Sequence, residues 1–246
     1  MNEALIHYLQ KFHFTQFDLK AILFDMDGVL YDSMPAHDRS WRQTMDEMKL
    51  HYLPQEFYFQ EGRVGQSTIN TVFQRNLHRD ATEEEIKRIY ARKSELFQQY
   101  NSGAIFSGAA PLLRYIDASG LKPVLVTGSG QPSLLDRLET HFPGIFTPET
   151  MVTAFDVTEG KPHPEPYLRG LQKGGDLKPN QAFAVENAPL GIESAVAAGI
   201  FTIAVNTGPL SNSILSGAGA SIVLSSMEEL LKIIPETLHL IGRISI

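Results

Sequence analysis

An apolar run, Ala21–Phe24, stops at two aspartates, Asp25 and Asp27, with Gly28 directly behind them. Carboxylates at the end of a core element are costly unless they hold a metal or react. Spaced i, i+2 after a strand, both side chains can converge at the carboxyl edge of a sheet, and Gly28 lets the backbone turn sharply there. Three further clusters stand where other apolar runs end. Thr127-Gly128-Ser129-Gly130 follows Pro123–Val126 and offers hydroxyls and backbone N–H groups to an anion. Lys161 sits in Glu159–Pro166, a stretch stiffened by prolines that can aim it at a fixed anion. Glu186 and Asn187 close the run Ala182–Val185. Each has an ordinary reading: a surface turn, a solvated lysine, a helix cap. Together they specify a nucleophile, anion donors and a magnesium site.

These groups need a sheet whose strand ends lie side by side. Apolar runs at Ala21–Phe24, Pro123–Val126, Met151–Ala154, Ala182–Val185, Phe201–Val205 and Ile222–Leu224 alternate with helical stretches, which predicts a parallel sheet covered on both faces. In such an α/β fold the active site lies beyond the carboxyl ends of the strands. Between residues 34 and 101 the texture changes to long polar-apolar helical periods around the only tryptophan, Trp41. His37–Leu50, Gln55–Gln60, Ser67–Leu77 and Thr82–Gln99 are the helix candidates, the last opened by a Thr82/Glu85 capping box. The expected organisation is a core of residues 1–33 and 102–246 with a helical insertion of 34–101, and a short amphipathic helix over 3–12.

At 246 residues with 43% apolar and 20% charged side chains, the chain reads as an ordinary globular protein. The net charge of −7, with no basic cluster, argues against nucleic-acid binding. Absence of cysteine excludes thiol catalysis, disulfides and thiolate metal sites. The N-terminal segment has no signal-peptide pattern and no run reaches membrane-spanning length, so the expectation is a cytoplasmic protein with no membrane and no evident protein partner.

The set DMDGVLYDS (25–33), VTGS (126–129), GKPHPEPY (160–167) and VENAPLGIESAVAAG (185–199) resembles, in order, the four motifs of the haloacid dehalogenase superfamily of phosphotransferases, most closely its beta-phosphoglucomutase-like branch. The resemblance implies a Rossmann-like core with an inserted α-helical cap and a Mg²⁺ cofactor. Asp25 would be the nucleophile that forms an aspartyl-phosphate, and Asp27 the acid that protonates the leaving oxygen and later activates water. Thr127, Gly128, Ser129 and Lys161 would bind the transferring phosphoryl oxygens. The metal would be held by Asp25, the Asp27 carbonyl, Glu186, Asn187 and, in one reading, Glu61.

Three positions depart from the branch. Mutases resembling this chain carry an acid where Asn187 stands, a lysine where Glu61 stands, and a phosphate-holding cap arginine that aligns with Gly65; Arg63 lies two residues earlier. A carboxylate facing a phosphate is repulsive unless a cation separates them, so Glu61 is either turned to solvent or bound to the magnesium. The second option leaves little room for a hexose and favours a small substrate such as inorganic pyrophosphate. His37 and Lys93 match a cap-hinge histidine and a cap lysine of the mutases, which favours beta-phosphoglucomutase as the alternative. A catalytically silent scaffold is disfavoured by the intact acid pair.

Overall fold

The computed structural model describes residues 1–129 and 134–244. Six strands, β1 (Ala21–Phe24), β2 (Lys122–Val126), β3 (Met151–Val152), β4 (Ala182–Glu186), β5 (Phe201–Val205) and β6 (Ile222–Leu224), form one parallel sheet in the order β3-β2-β1-β4-β5-β6. β1 lies in its middle, paired on one side with β2 and on the other with β4. The motif-bearing strand ends are therefore neighbours.

Strand alternation divides the core in two. Ile22, Phe24, Phe183 and Val185 face one cluster, whereas Ala21, Leu23, Ala182 and Ala184 face the other. The first face is covered by α1 (Asn2–Phe12), α6 (Ala109–Ala118) and α11 (Met227–Ile241), together with Leu138 and Phe142. α7 (Leu134–His141) carries the first of these. On the second face pack α8 (Glu165–Gly175), through Tyr167 and Leu171, and α9 (Pro189–Ala197), through Ala195. Tyr8 of α1 donates to the Gly199 carbonyl at 2.8 Å, which ties the N-terminal helix to the turn before β5.

Between β1 and α6 lie α2 (Met34–Glu47), α3 (Glu56–Phe59), α4 (Gly65–Leu77) and α5 (Glu83–Tyr100). They bury a cluster of their own around Trp41, Met45, Phe57, Ile69, Phe73 and Ile89. The Thr82 capping box is formed: Glu85 N–H donates to Thr82 Oγ1 at 3.2 Å and Thr82 N–H to Glu85 Oε2 at 2.8 Å. A buried carboxylate, Glu56, receives both terminal nitrogens of Arg75 at 2.7 Å, Leu53 N–H at 2.7 Å and Gln60 Nε2 at 2.6 Å. This fixes the turn that leads to Glu61.

Of the boundaries that differ from expectation, two have clear local reasons. β3 ends at Val152 rather than Ala154, because Thr153 N–H and Oγ1 both donate to Asp156 Oδ2 at 2.8 Å and leave the ladder. α2 begins at Met34 rather than His37, with Pro35 in its first turn, where a missing N–H costs nothing. Among the described residues no helix is long and apolar enough to cross a membrane.

Candidate active site

β1 stops at Phe24, so the aspartates stand in the turn beyond it rather than in the strand, although Asp25 N–H still pairs with Val185 O at 3.0 Å. Gly28 takes φ +83°, and a Cβ on it would lie 1.9 Å from Asn187 Nδ2. Glycine is required there twice over, for the turn and for the close approach of Asn187. Gly130 of the hydroxyl turn lies outside the described residues.

The two aspartates occupy different environments. Asp25 Oδ1 accepts from Lys161 Nζ at 2.5 Å. Burial pushes the Asp25 carboxyl up to about 7; Lys161 opposes this and the neighbouring Glu186 adds to it. Asp27 Oδ1 accepts from Ser33 Oγ at 2.5 Å and lies 3.5 Å from His37 Nε2. Burial also pushes Asp27 up, but His37, Ser33 and Arg137 outweigh it and hold the carboxyl near 2. His37 is itself pushed down, by burial and then by Lys93, whose Nζ is 2.7 Å from His37 Nδ1. The part of the Asp27 stabilisation that needs a cationic His37 is thereby weakened; Ser33 and Arg137 supply the rest.

Lys161 is the tie of the core. Its three protons go to Asp25 at 2.5 Å, Glu186 Oε1 at 2.6 Å and the Val126 carbonyl at 3.2 Å, which joins the ends of β1, β4 and β2. Burial works against the ammonium, but Asp25 and Glu186 overcome it and keep Lys161 charged. Glu186, expected as a metal ligand, also receives protein donors: its Oε1 accepts from Tyr167 Oη at 2.6 Å and its Oε2 from Asn187 N–H at 3.2 Å. Its carboxylate is the second acid on Lys161. Gly191 makes room for that carboxylate, since a Cβ there would meet it at 2.1–2.3 Å.

Asn187 does not cap α9, whose N-cap is Ala188; its side chain reaches the inserted helices instead. Nδ2 donates to both oxygens of Glu61, at 3.1 and 3.0 Å. Glu61 is thus turned inward, and burial raises its carboxyl, with the Asp25 charge adding to the effect. Asn187 Oδ1 is buried with no hydrogen-bond partner. An orphaned amide oxygen beside crowded carboxylates Glu61 and Asp25 is an oxygen-donor set that a hard cation fits. The described residues hold no group of three or more His, Asp or Glu side chains arranged as a metal cage.

A cavity of about 100 Å³ lies between these strand ends and the inserted helices. Asp25, Asp27, Thr127, Gly128 and Ser129 line it from the core, His37, Glu61, Arg63 and Lys93 from the insertion. Lys161, Glu186 and Asn187 are not on its wall. Arg63 donates to Ser67 Oγ at 3.0 Å. Where the mutase arginine would project from position 65, the Tyr90 ring is packed on Gly65: a Cβ would lie 2.3 Å from it. Lys93 is buried between the Phe97 and Trp41 rings, which pushes it down to about 8. Tyr167, Tyr90, Ser33 and Arg137 carry no signal of their own in the sequence, although Ser33 closes the first motif and Tyr167 the third.

The sequence pattern of the family described as Haloacid dehalogenase-like hydrolase matches residues 22–205, which spans every strand end described above but that of β6. The chain belongs to that family. This haloacid dehalogenase-like hydrolase is 33% identical over 189 residues to Hexitol phosphatase A of Escherichia coli, covering 76% of this chain and 83% of that one. It is 31% identical over 198 residues to Glycerol-1-phosphate phosphohydrolase 2 of Saccharomyces cerevisiae, covering 77% and 75%. A solved structure from Bacteroides vulgatus, described as a candidate beta-phosphoglucomutase, is 50% identical with a TM-score of 0.94 and 98% of each chain covered. These likenesses agree with the expected enzyme class, a phosphatase or phosphomutase of the family.

Proposed function

We propose that this chain is a Mg²⁺-dependent phosphohydrolase that works through an aspartyl-phosphate on Asp25, with inorganic pyrophosphate preferred to sugar phosphates. The observation that carries this reading is the seat of Glu61 on Asn187, 3.0–3.1 Å apart, with Asn187 Oδ1 left without a partner. A bound Mg²⁺, held by Asp25, the Asp27 carbonyl, Asn187 and Glu61, would screen the anions and take up charge on the phosphoryl oxygens. Glu61 would then restore the charge that Asn187 lacks.

In this scheme Lys161 holds one oxygen of Asp25 and leaves the other to attack phosphorus; the new P–O bond forms as the bond to the leaving oxygen breaks. Thr127 and the Gly128 and Ser129 N–H groups hold the phosphoryl oxygens. Ser33 and His37 hold Asp27 ionised, the form that takes a proton from the water attacking the phospho-aspartate. A phosphate leaving group departs with less protonation than a sugar alkoxide, which favours pyrophosphate. The small cavity, closed by Tyr90 on Gly65, favours it too. Residues 34–101 act as a cap over the core, and its closure excludes bulk water from the intermediate.

The second reading is a phosphatase of small phosphorylated sugars or polyols. It is favoured by the relatives named for hexitol phosphates and glycerol-1-phosphate. Beta-phosphoglucomutase is compatible with the same site. The deciding experiment compares kcat/KM for pyrophosphate, hexitol and hexose phosphates, and beta-glucose 1-phosphate with a bisphosphate activator. Pyrophosphate is expected to lead. A higher kcat/KM for a sugar or polyol phosphate, or isomerisation of the glucose phosphate without phosphate release, would overturn the preference.

A further inference from the structure

Among the described residues, two arginines on the cavity wall, Arg63 from the insertion and Arg137 from α7, each have a buried Nε with no acceptor. Arg137 belongs to none of the motifs. Its guanidinium lies 4.8 Å over the Tyr31 ring, and a terminal nitrogen reaches the sulfur of Met26, at 3.8 Å. Among the described residues no carboxylate stands within ion-pair distance of either arginine. A part-buried cation with an orphaned donor is unfavourable until an anion arrives, and an arginine fork matches phosphate geometry. Lys161, by contrast, has all its protons satisfied within the protein. Among the described residues, the guanidinium groups of this cavity that lack a carboxylate at ion-pair distance are therefore Arg137 and Arg63, Arg137 also supporting Asp27 from farther off.

We infer that Arg137, with Arg63, forms a subsite for a second anionic group of the substrate, distinct from the phosphoryl group that Asp25 attacks. The inference rests on the reading of the cavity as a phosphohydrolase site, and it makes Arg137 a specificity-determining residue. For pyrophosphate the second group is the leaving phosphate. Because one arginine comes from the core and the other from the insertion, an anion between them draws the two together.

The test measures inhibition of p-nitrophenyl phosphate hydrolysis by methylenebisphosphonate and by methylphosphonate at fixed free Mg²⁺. The wild-type enzyme is expected to bind the bisphosphonate about 10- to 100-fold more tightly, the range for losing a hydrogen bond to a charged group. Arg137→Met, which keeps an unbranched chain over Tyr31, should bring that ratio close to one, and Arg137→Lys should keep part of it. Thermal melting of each variant separates misfolding from loss of the subsite. Equal inhibition by both compounds in the wild type, or a ratio untouched in a folded Arg137→Met, overturns the inference. If the bisphosphonate keeps its advantage while pyrophosphate is not hydrolysed, only the substrate preference fails.

Discussion

The core side and the insertion side of one cavity are built on opposite principles. On the core side, Tyr167, Glu186, Lys161 and Asp25 form a continuous buried chain in which each link is 2.5–2.6 Å. On the insertion side, Arg63 keeps an unpaired Nε, and Glu61 meets only an amide whose own oxygen is orphaned. A satisfied network is preorganised and can hold a reacting atom still. An unsatisfied one gains free energy when a ligand arrives. Under the proposed function, the satisfied network around Asp25 decides reaction type, and the unsatisfied groups facing it, Glu61 and Arg63 from the insertion with Arg137 from the core, decide substrate choice.

Substitutions on the two sides should therefore fail differently. Asp25→Asn removes the proposed nucleophile and is expected to lower turnover on the order of 10⁴-fold on every phosphate substrate tried, with the fold intact by circular dichroism. Residual activity within a few fold of wild type would break the core half of the comparison. Glu61→Ala should raise the Mg²⁺ concentration for half-maximal rate roughly 10- to 100-fold, as loss of a metal-supporting group does, while leaving core stability alone. A Mg²⁺ titration that superimposes on the wild type would show that Glu61 holds no metal. Tyr167→Phe deletes one buried hydroxyl that touches no substrate. It should cost about 1–3 kcal/mol of stability by leaving Glu186 underpaired, and lower kcat by roughly 10-fold with KM little changed. A rise in KM at constant kcat would show that the chain from Tyr167 does not reach Asp25.

Much of the core was legible in the sequence because its cause is local. Alternation of short apolar runs with helical stretches gives a parallel sheet, and the end of a run marks where a polar side chain meets the ligand edge. Ala21–Phe24 and Phe201–Val205 came out at the expected residues. What was illegible depends on which side chain meets which. Glu186 at a strand end suits a metal ligand by type, but its pairing with Lys161 and Tyr167, made possible by the bare Gly191, depends on packing that no local pattern shows. The inward turn of Glu61 had an equal rival, solvent exposure, until Asn187 was found across from it. Arg137 falls between motifs on an ordinary amphipathic helix, and nothing in its neighbours in sequence separates it from a surface arginine.

Gly62, between Glu61 and Arg63, has φ +84°, and a Cβ on it would lie 2.9 Å from the Lys161 side chain; its carbonyl oxygen lies 3.2 Å from where a Cβ of Gly128 would be. The seam between insertion and core thus brings the main chain of Gly62 close to both the Lys161 side chain and the main chain at Gly128. Neighbouring side chains can be exchanged over generations without prising the seam apart. A lineage built on this frame can change the molecule it admits, one flanking residue at a time, while inheriting the seal unchanged.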